Sequence, residues 1–208
     1  MERCLRAIQE GLYSGRKRIL GHMLTLLAAL SFAQDGCRAV GLHHEILFCE
    51  LLPALLGGSS RRLKRPFHAS DRLVSATALL LRNLAFSRVH VALFVEKEIK
   101  IEDHARGGAL ACTEKIGVGT LILMCCLFRA VEVRPASRIT VQIAARVLAA
   151  LRALCHANQK AVAVLKRSSA LVRCLRSTSA VLATCTGVEA DNAANSVAKL
   201  QHLLGHEE

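Results

Sequence analysis

Few residues in this chain have both the type and the spacing that chemistry needs. His43, Glu45 and Cys49 come nearest to a metal site. Glu45 and Cys49 stand four apart and would share a helix face. Zinc, however, wants four ligands, or three and a water, in fixed geometry, and no second cluster completes the set. Cys155 beside His156 has the composition of a thiol–imidazole pair, but adjacent residues on a helix point apart. Gly117-x-Gly119 lacks the third glycine and the preceding strand of a nucleotide loop. Neither H-E-x-x-H nor G-x-S-x-G occurs, and the 16 carboxylates are scattered without a paired site for acid–base work. These readings predict no catalytic residue, no metal and no cofactor, so the chain is expected to be a non-enzyme.

Charge is the stronger signal. The 208 residues carry a net charge of +12, with a pI near 9.8. Such a balance suits anionic partners. Aromatics are only 3%, which argues against single-stranded nucleic acid and its stacking platforms. The sharpest cluster is Arg61, Arg62, Lys64 and Arg65, just after Gly57-Gly58-Ser59-Ser60. It reads as a solvated basic loop over 57–69, with nuclear targeting or phosphate binding as competing readings.

The elements that must position these residues read as helices. Apolar residues make up 52%, mean hydropathy is +0.35, and Leu, Ala and Val carry the burial, a composition that favours stacked helices over a sheet. The nine cysteines form no C-x-x-C pair and lie mostly in apolar helical context, as reduced core thiols do. The longest apolar run, Ile116 to Phe128, falls short of the ~20 residues a bilayer needs. Met1-Glu2-Arg3-Cys4 does not read as a signal peptide.

Along the chain, Ile19, Met23, Leu26, Leu27 and Leu30 form a stripe, followed by a turn at Gln34-Asp35-Gly36 and a second helix from about Arg38 to Leu56. Ser70 is a good N-cap for a helix reaching Phe86, apolar nearly all round and so expected between neighbours. Leu121 to Val133 reads as a buried helix, and Ser137 caps another that reaches His156. Shorter helices follow around Val162–Leu165 and Leu171–Leu182. Thr186-Gly187-Val188-Glu189 fits a capping box that opens a last helix, and 205–208 is a polar tail.

One pattern occurs three times. Leu-x-x-Leu, then a small residue, a ring residue and another small residue, begins at Leu27, Leu81 and Leu151. A second apolar cluster follows each copy, at Ala39-Val40, Leu93-Phe94 and Ala163-Val164. Both steps between copies exceed the ~40–47 residues of armadillo and HEAT repeats, so the repeats are irregular. Leu79 to Phe86, LLLRNLAF, resembles an armadillo-type helix. Together with Ala150 to Ala161, ALRALCHANQKA, and the closing helix from Val197 to Leu204, it is similar to the C-terminal end of the rotatin family, very large armadillo-like proteins of centrioles and ciliary basal bodies. In armadillo helices an asparagine in this context faces a concave groove, where its amide can donate and accept at once. By that likeness Asn83, flanked by Arg82 and joined by Arg152, is a candidate partner-binding residue.

The expectation is one all-α domain over 1–208, a right-handed armadillo/HEAT-like superhelix of stacked helices. The resemblance implies a scaffold for protein–protein interaction in centriole or basal-body assembly and cilium organisation, located at the cytoskeleton. A basic nuclear or nucleic-acid-associated adaptor is the alternative.

Overall fold

The computed structural model describes residues 2–14, 17–43, 47–48, 52, 70–87, 90–95, 117–132 and 137–205. Among these the chain is helical, with no strand. The helices are α1 (Glu2–Tyr13), α2 (Lys17–Leu30), α3 (Gln34–Gly41), α4 (Asp71–Phe86), α5 (Val91–Val95), α6 (Val118–Glu132), α7 (Arg138–Ala157), α8 (Gln159–Lys166), α9 (Ser169–Leu182) and α10 (Val188–Leu204). The basic loop at 57–69, the charged run after Val95 and residues 206–208 lie outside the described residues.

Four long helices form a row, α2–α4–α7–α10, each packed on the next. Gly21 and Leu73 approach near the starts of α2 and α4, and Ala28 and Asn83 meet near their ends, so these two run parallel. α7 and α10 start side by side, where Arg138 reaches Glu189 at 4.0 Å. α6 lies against α4 and α7, and α9 against α6 and α10. One continuous core runs from Leu5 to Leu204. α4 fills the role its composition dictates, burying eleven of its sixteen residues. α7 is long and apolar enough to cross a bilayer by length and composition. Here its apolar length is spent on α4, α6 and α10.

Helix ends follow local chemistry. Ser137 caps α7, accepting from the Thr140 N–H while the Thr140 hydroxyl accepts from the Ser137 N–H. Asn158 closes α7 in extended geometry and opens α8, its Oδ1 accepting from the Lys160 N–H at 2.8 Å. Ser70 has the backbone geometry of an N-cap, but its side chain makes no cap hydrogen bond. The capping box expected at Thr186–Glu189 does not form; the N-cap of α10 is Gly187, at φ 112°, with no side-chain cap.

Two expectations near the N-terminus are corrected. Gln34-Asp35-Gly36 is not a turn but the start of α3; the turn falls at 31–33, where the Ser31 hydroxyl bonds back to the Ala28 carbonyl at 2.9 Å. Gly36 serves a close approach instead, because a Cβ there would strike the Leu30 carbonyl. The helix expected from Arg38 to Leu56 is interrupted in its described part: α3 ends at Gly41, a turn follows at 42–43, and residues 47, 48 and 52 are again helical. The α2 stripe also differs: Leu20, Leu24, Leu27 and Ala28 enter the core, whereas Ile19, Leu26 and Leu30 are exposed. Periodicity gives the spacing of a face, and α2 has two apolar faces one residue apart.

Gly117 and Gly119 are packing residues. A Cβ on Gly117 would meet the Phe94 backbone, and one on Gly119 the Phe94 ring. The Thr120 hydroxyl donates to the Phe94 carbonyl at 2.7 Å, and Phe48 sits edge-on to Phe94 with ring centroids 6.0 Å apart. Gly117→Ala is expected to destabilise the chain by about 1–3 kcal/mol through overpacking. Gly21→Ala, mid-helix and 3.8 Å from a Leu73 methyl, should stabilise it by about 0.5–1 kcal/mol through helix propensity. Urea unfolding of the two variants checks the opposite signs.

Candidate functional site

Ser75, Leu79 and Arg82 lie on one face of α4, at steps of four and three. Ser75 is buried; Leu79 and Arg82 are half-buried. α7 lays Arg146 against this face, its Nη1 donating to the Ser75 carbonyl at 2.8 Å and to the Ser75 hydroxyl at 2.6 Å. Arg146 is held below the usual arginine range, first by loss of water and then by the like charge of Arg82. No carboxylate among the described residues offsets either effect. The Nε of Arg82 is buried with no hydrogen-bond partner. Two guanidinium groups therefore share a half-buried site with donor capacity unspent. Guanidinium takes carboxylate or phosphate in planar, paired hydrogen bonds, so an anion is the ligand class that suits these side chains.

The sequence grouped Arg82, Asn83 and Arg152, and the structure separates them. Asn83 follows Arg82 by one residue, roughly 100° around the helix, and so turns toward α2. It is 9% exposed. Its Nδ2 donates to the Ala28 carbonyl at 2.8 Å and approaches the Ser31 hydroxyl at 3.4 Å. Ala28 is in the last turn of α2, where carbonyls lack intrahelical partners. The amide expected in a groove instead caps one helix from another. Arg152 is half-buried on α7, six residues past Arg146 and roughly 120° around, and so sits on a different face. Arg61, Arg62, Lys64 and Arg65 lie outside the described residues, as do Glu45 and Cys49.

Sequence reasoning missed two features. Arg146 reads in the sequence as a cation on or beside the face opposite the core stripe of its helix; its pairing with Ser75 and Arg82 depends on how α7 lies on α4. His90 is buried, with Nε2 2.8 Å from the Cys37 carbonyl, which makes Nε2 the protonated nitrogen. Gly41 leaves room for that ring, since a Cβ there would collide with it. The ring residues of the repeated pattern, Phe32, Phe86 and His156, are exposed in all three copies. They are thus an edge of the row rather than part of its core.

Cys155 and His156 diverge, as adjacent helical residues must: the thiol is buried and the imidazole exposed. Burial pushes the Cys155 thiol up to about 11 and the Cys174 thiol up to about 12. Among the described residues no three His, Cys, Asp or Glu converge. A surface groove between the starts of α7 and α10 is lined by Ser137, Arg138, Val141, Thr186 and Glu189. It gathers no further charge beyond the exposed Arg138–Glu189 pair.

Compared with known proteins, the chain matches no family model, no curated protein and no solved structure.

Two outcomes follow from this geometry. Asn83→Ala should cost about 1–3 kcal/mol in urea unfolding, the range for removing a buried hydrogen-bond partner. Asn83→Asp should cost more, since it faces the Ala28 carbonyl with an acceptor; unchanged stability would return Asn83 to a surface role. The second concerns alkali. The unfolded chain loses its thiol protons near 9.0, whereas Cys155 and Cys174 keep theirs to about 11 and 12. Between those values the unfolded state binds fewer protons, so stability is full below about pH 9 and falls as pH rises. Urea midpoints at rising pH should show that fall, and a Cys155→Ala/Cys174→Ala chain should show a shallower one.

Proposed function

We propose that this chain is a non-enzymatic helical-repeat scaffold of armadillo/HEAT type, stacked as a right-handed superhelix and working by holding other proteins. Two observations support the repeat reading. α5–α6–α7 and α8–α9–α10 each run as one short helix and two longer ones, and the last helix of each joins the row. A short helix also follows each of α2, α4 and α7, where the sequence pattern has its second apolar cluster. Arrays of this kind expose long surfaces and act without a catalytic pocket.

The observation that carries the functional reading is the Arg82–Arg146 pair. Two half-buried like charges are unfavourable for the chain by itself, and an acidic group from a partner at the exposed side of the pair would relieve the repulsion. The partner class is therefore an acidic protein segment. The cellular setting, centriole or ciliary basal body with a part in cilium organisation, rests on the likeness of Leu79–Phe86 and Ala150–Ala161 to the rotatin family.

Expression of the tagged chain in ciliated cells tests this. The reading expects a focus at the centrioles or basal bodies. Arg82→Gln, which spares the Arg146–Ser75 hydrogen bonds, should disperse it while the melting temperature of the purified protein holds or rises, because a repulsion has been removed. A diffuse signal from the unmodified chain would contradict the proposed setting. A nuclear signal abolished by replacing Arg61, Arg62, Lys64 and Arg65 would favour the nuclear adaptor instead.

A further inference from the structure

Helix α2 carries an apolar stripe that the described residues leave partly open. Ile19, Met23, Leu26 and Leu30 follow one another at steps of four, three and four, which is one helix face. Met23 is partly covered by α1, with the Cys4 Sγ 3.8 Å from its Sδ. Ile19, Leu26 and Leu30 remain 36%, 46% and 42% exposed.

The repeat supplies an internal standard. Aligning Leu27 with Leu81 and Leu151 places these four positions on Leu73, Thr77, Leu80 and Leu84 of α4. In α7 they fall on Ile143, Val147, Ala150 and Leu154. Every one of those residues is buried. Leu73 shows what covers such a position: its Cδ2 lies 3.8 Å from the point where Gly21, on the preceding helix of the row, would carry a Cβ. The open stripe of α2 is thus the face on which a later helix of the row receives its predecessor. The far end of the row differs. There α10 turns Asp191, Asn192, Asn195 and Lys199 to solvent, the polar outer face that terminal units of stacked arrays require. Among the described residues one end is closed and the other open.

Charge selects the occupant. The solvent border of the stripe begins with Arg18 and His22, both exposed. α2 contains no Asp or Glu, and the chain as a whole is at +12. A second copy would bring more positive charge to this border, whereas a helix with carboxylates along one side would pair with it. We propose that the α2 stripe docks an amphipathic helix of a partner protein, apolar at i, i+4, i+7 and i+11 and acidic along one border, laid on α2 as α2 is laid on α4. The inference takes its register from the repeat reading but uses a different face from the Arg82–Arg146 pair.

The test uses the full chain and two synthetic 18-residue helical peptides with that leucine spacing, one bordered by glutamate and one by lysine. Fluorescence anisotropy should show saturable binding of the glutamate peptide, at least about tenfold tighter than the lysine peptide. Leu26→Glu/Leu30→Glu should abolish binding at an unchanged melting temperature. Arg18→Glu should narrow the preference between the peptides, and Arg82→Gln/Arg146→Gln should leave binding intact, which separates this face from the other site. Absence of binding, or equal binding of both peptides, would overturn the inference. A lowered melting temperature in Leu26→Glu/Leu30→Glu would overturn it too, by showing the stripe already covered. So would a dimer in sedimentation that this variant dissolves, because the occupant would then be a second copy.

Discussion

The fold depends on the burial of α4 and α7. Both are apolar around most of their circumference, so neither can lie on a surface, and each must be enclosed on several sides. The neighbours that enclose α4 include α2, α6 and α7, and those that enclose α7 include α4, α6, α8 and α10. The row and the layer behind it follow from that requirement. Several polar side chains in this packing bond to backbone groups of another element. The Asn83 amide serves the last turn of α2, the Thr120 hydroxyl serves the Phe94 carbonyl, and the His90 imidazole serves the Cys37 carbonyl. Each joins two elements that sequence leaves far apart, so these bonds fix how the helices sit rather than whether they form.

Arg146 also bonds a backbone group, the Ser75 carbonyl, but it differs in charge. It enters the same packing with a charge, and the charge nearest to it in effect is the like charge of Arg82. A chain under selection for stability alone would place an apolar side chain there. The pair is informative because the described fold bonds Arg146 through Ser75 yet leaves the Arg82 Nε without a partner. The open stripe on α2 has the same logic in apolar form: surface that inner helices bury is left uncovered at one end of the row.

Much of the architecture was legible because helix periodicity and caps are local. The extent of α4, the cap at Ser137, the break after Ala157 and the final helix all follow from residues within a few positions of each other. The choice between faces was not local. In α2 the sequence offers two adjoining apolar stripes, and only the arrival of α1 and α4 decides which becomes core. Asn83 misled for a related reason. Its type fits a groove and a helix-end bond equally well, and its neighbour Arg82 lies half-buried on an adjoining face. A single residue step around the helix separates the two roles. The glycines at 117 and 119, meaningless as a nucleotide loop, were a packing signal that becomes readable once Phe94 is beside them.

The central claim is that α2, α4, α7 and α10 form an open row and not a closed bundle. The most direct measurement is the distance between α2 and α10. Spin labels carried by unnatural amino acids at exposed Thr25 and Lys199 would report it in solution by pulsed dipolar spectroscopy. Three interhelical steps of about 8–10 Å predict a separation of roughly 25–30 Å between the two axes. A single narrow distribution centred near one step, about 10 Å between axes, would mean that the ends of the row meet, and would contradict the account.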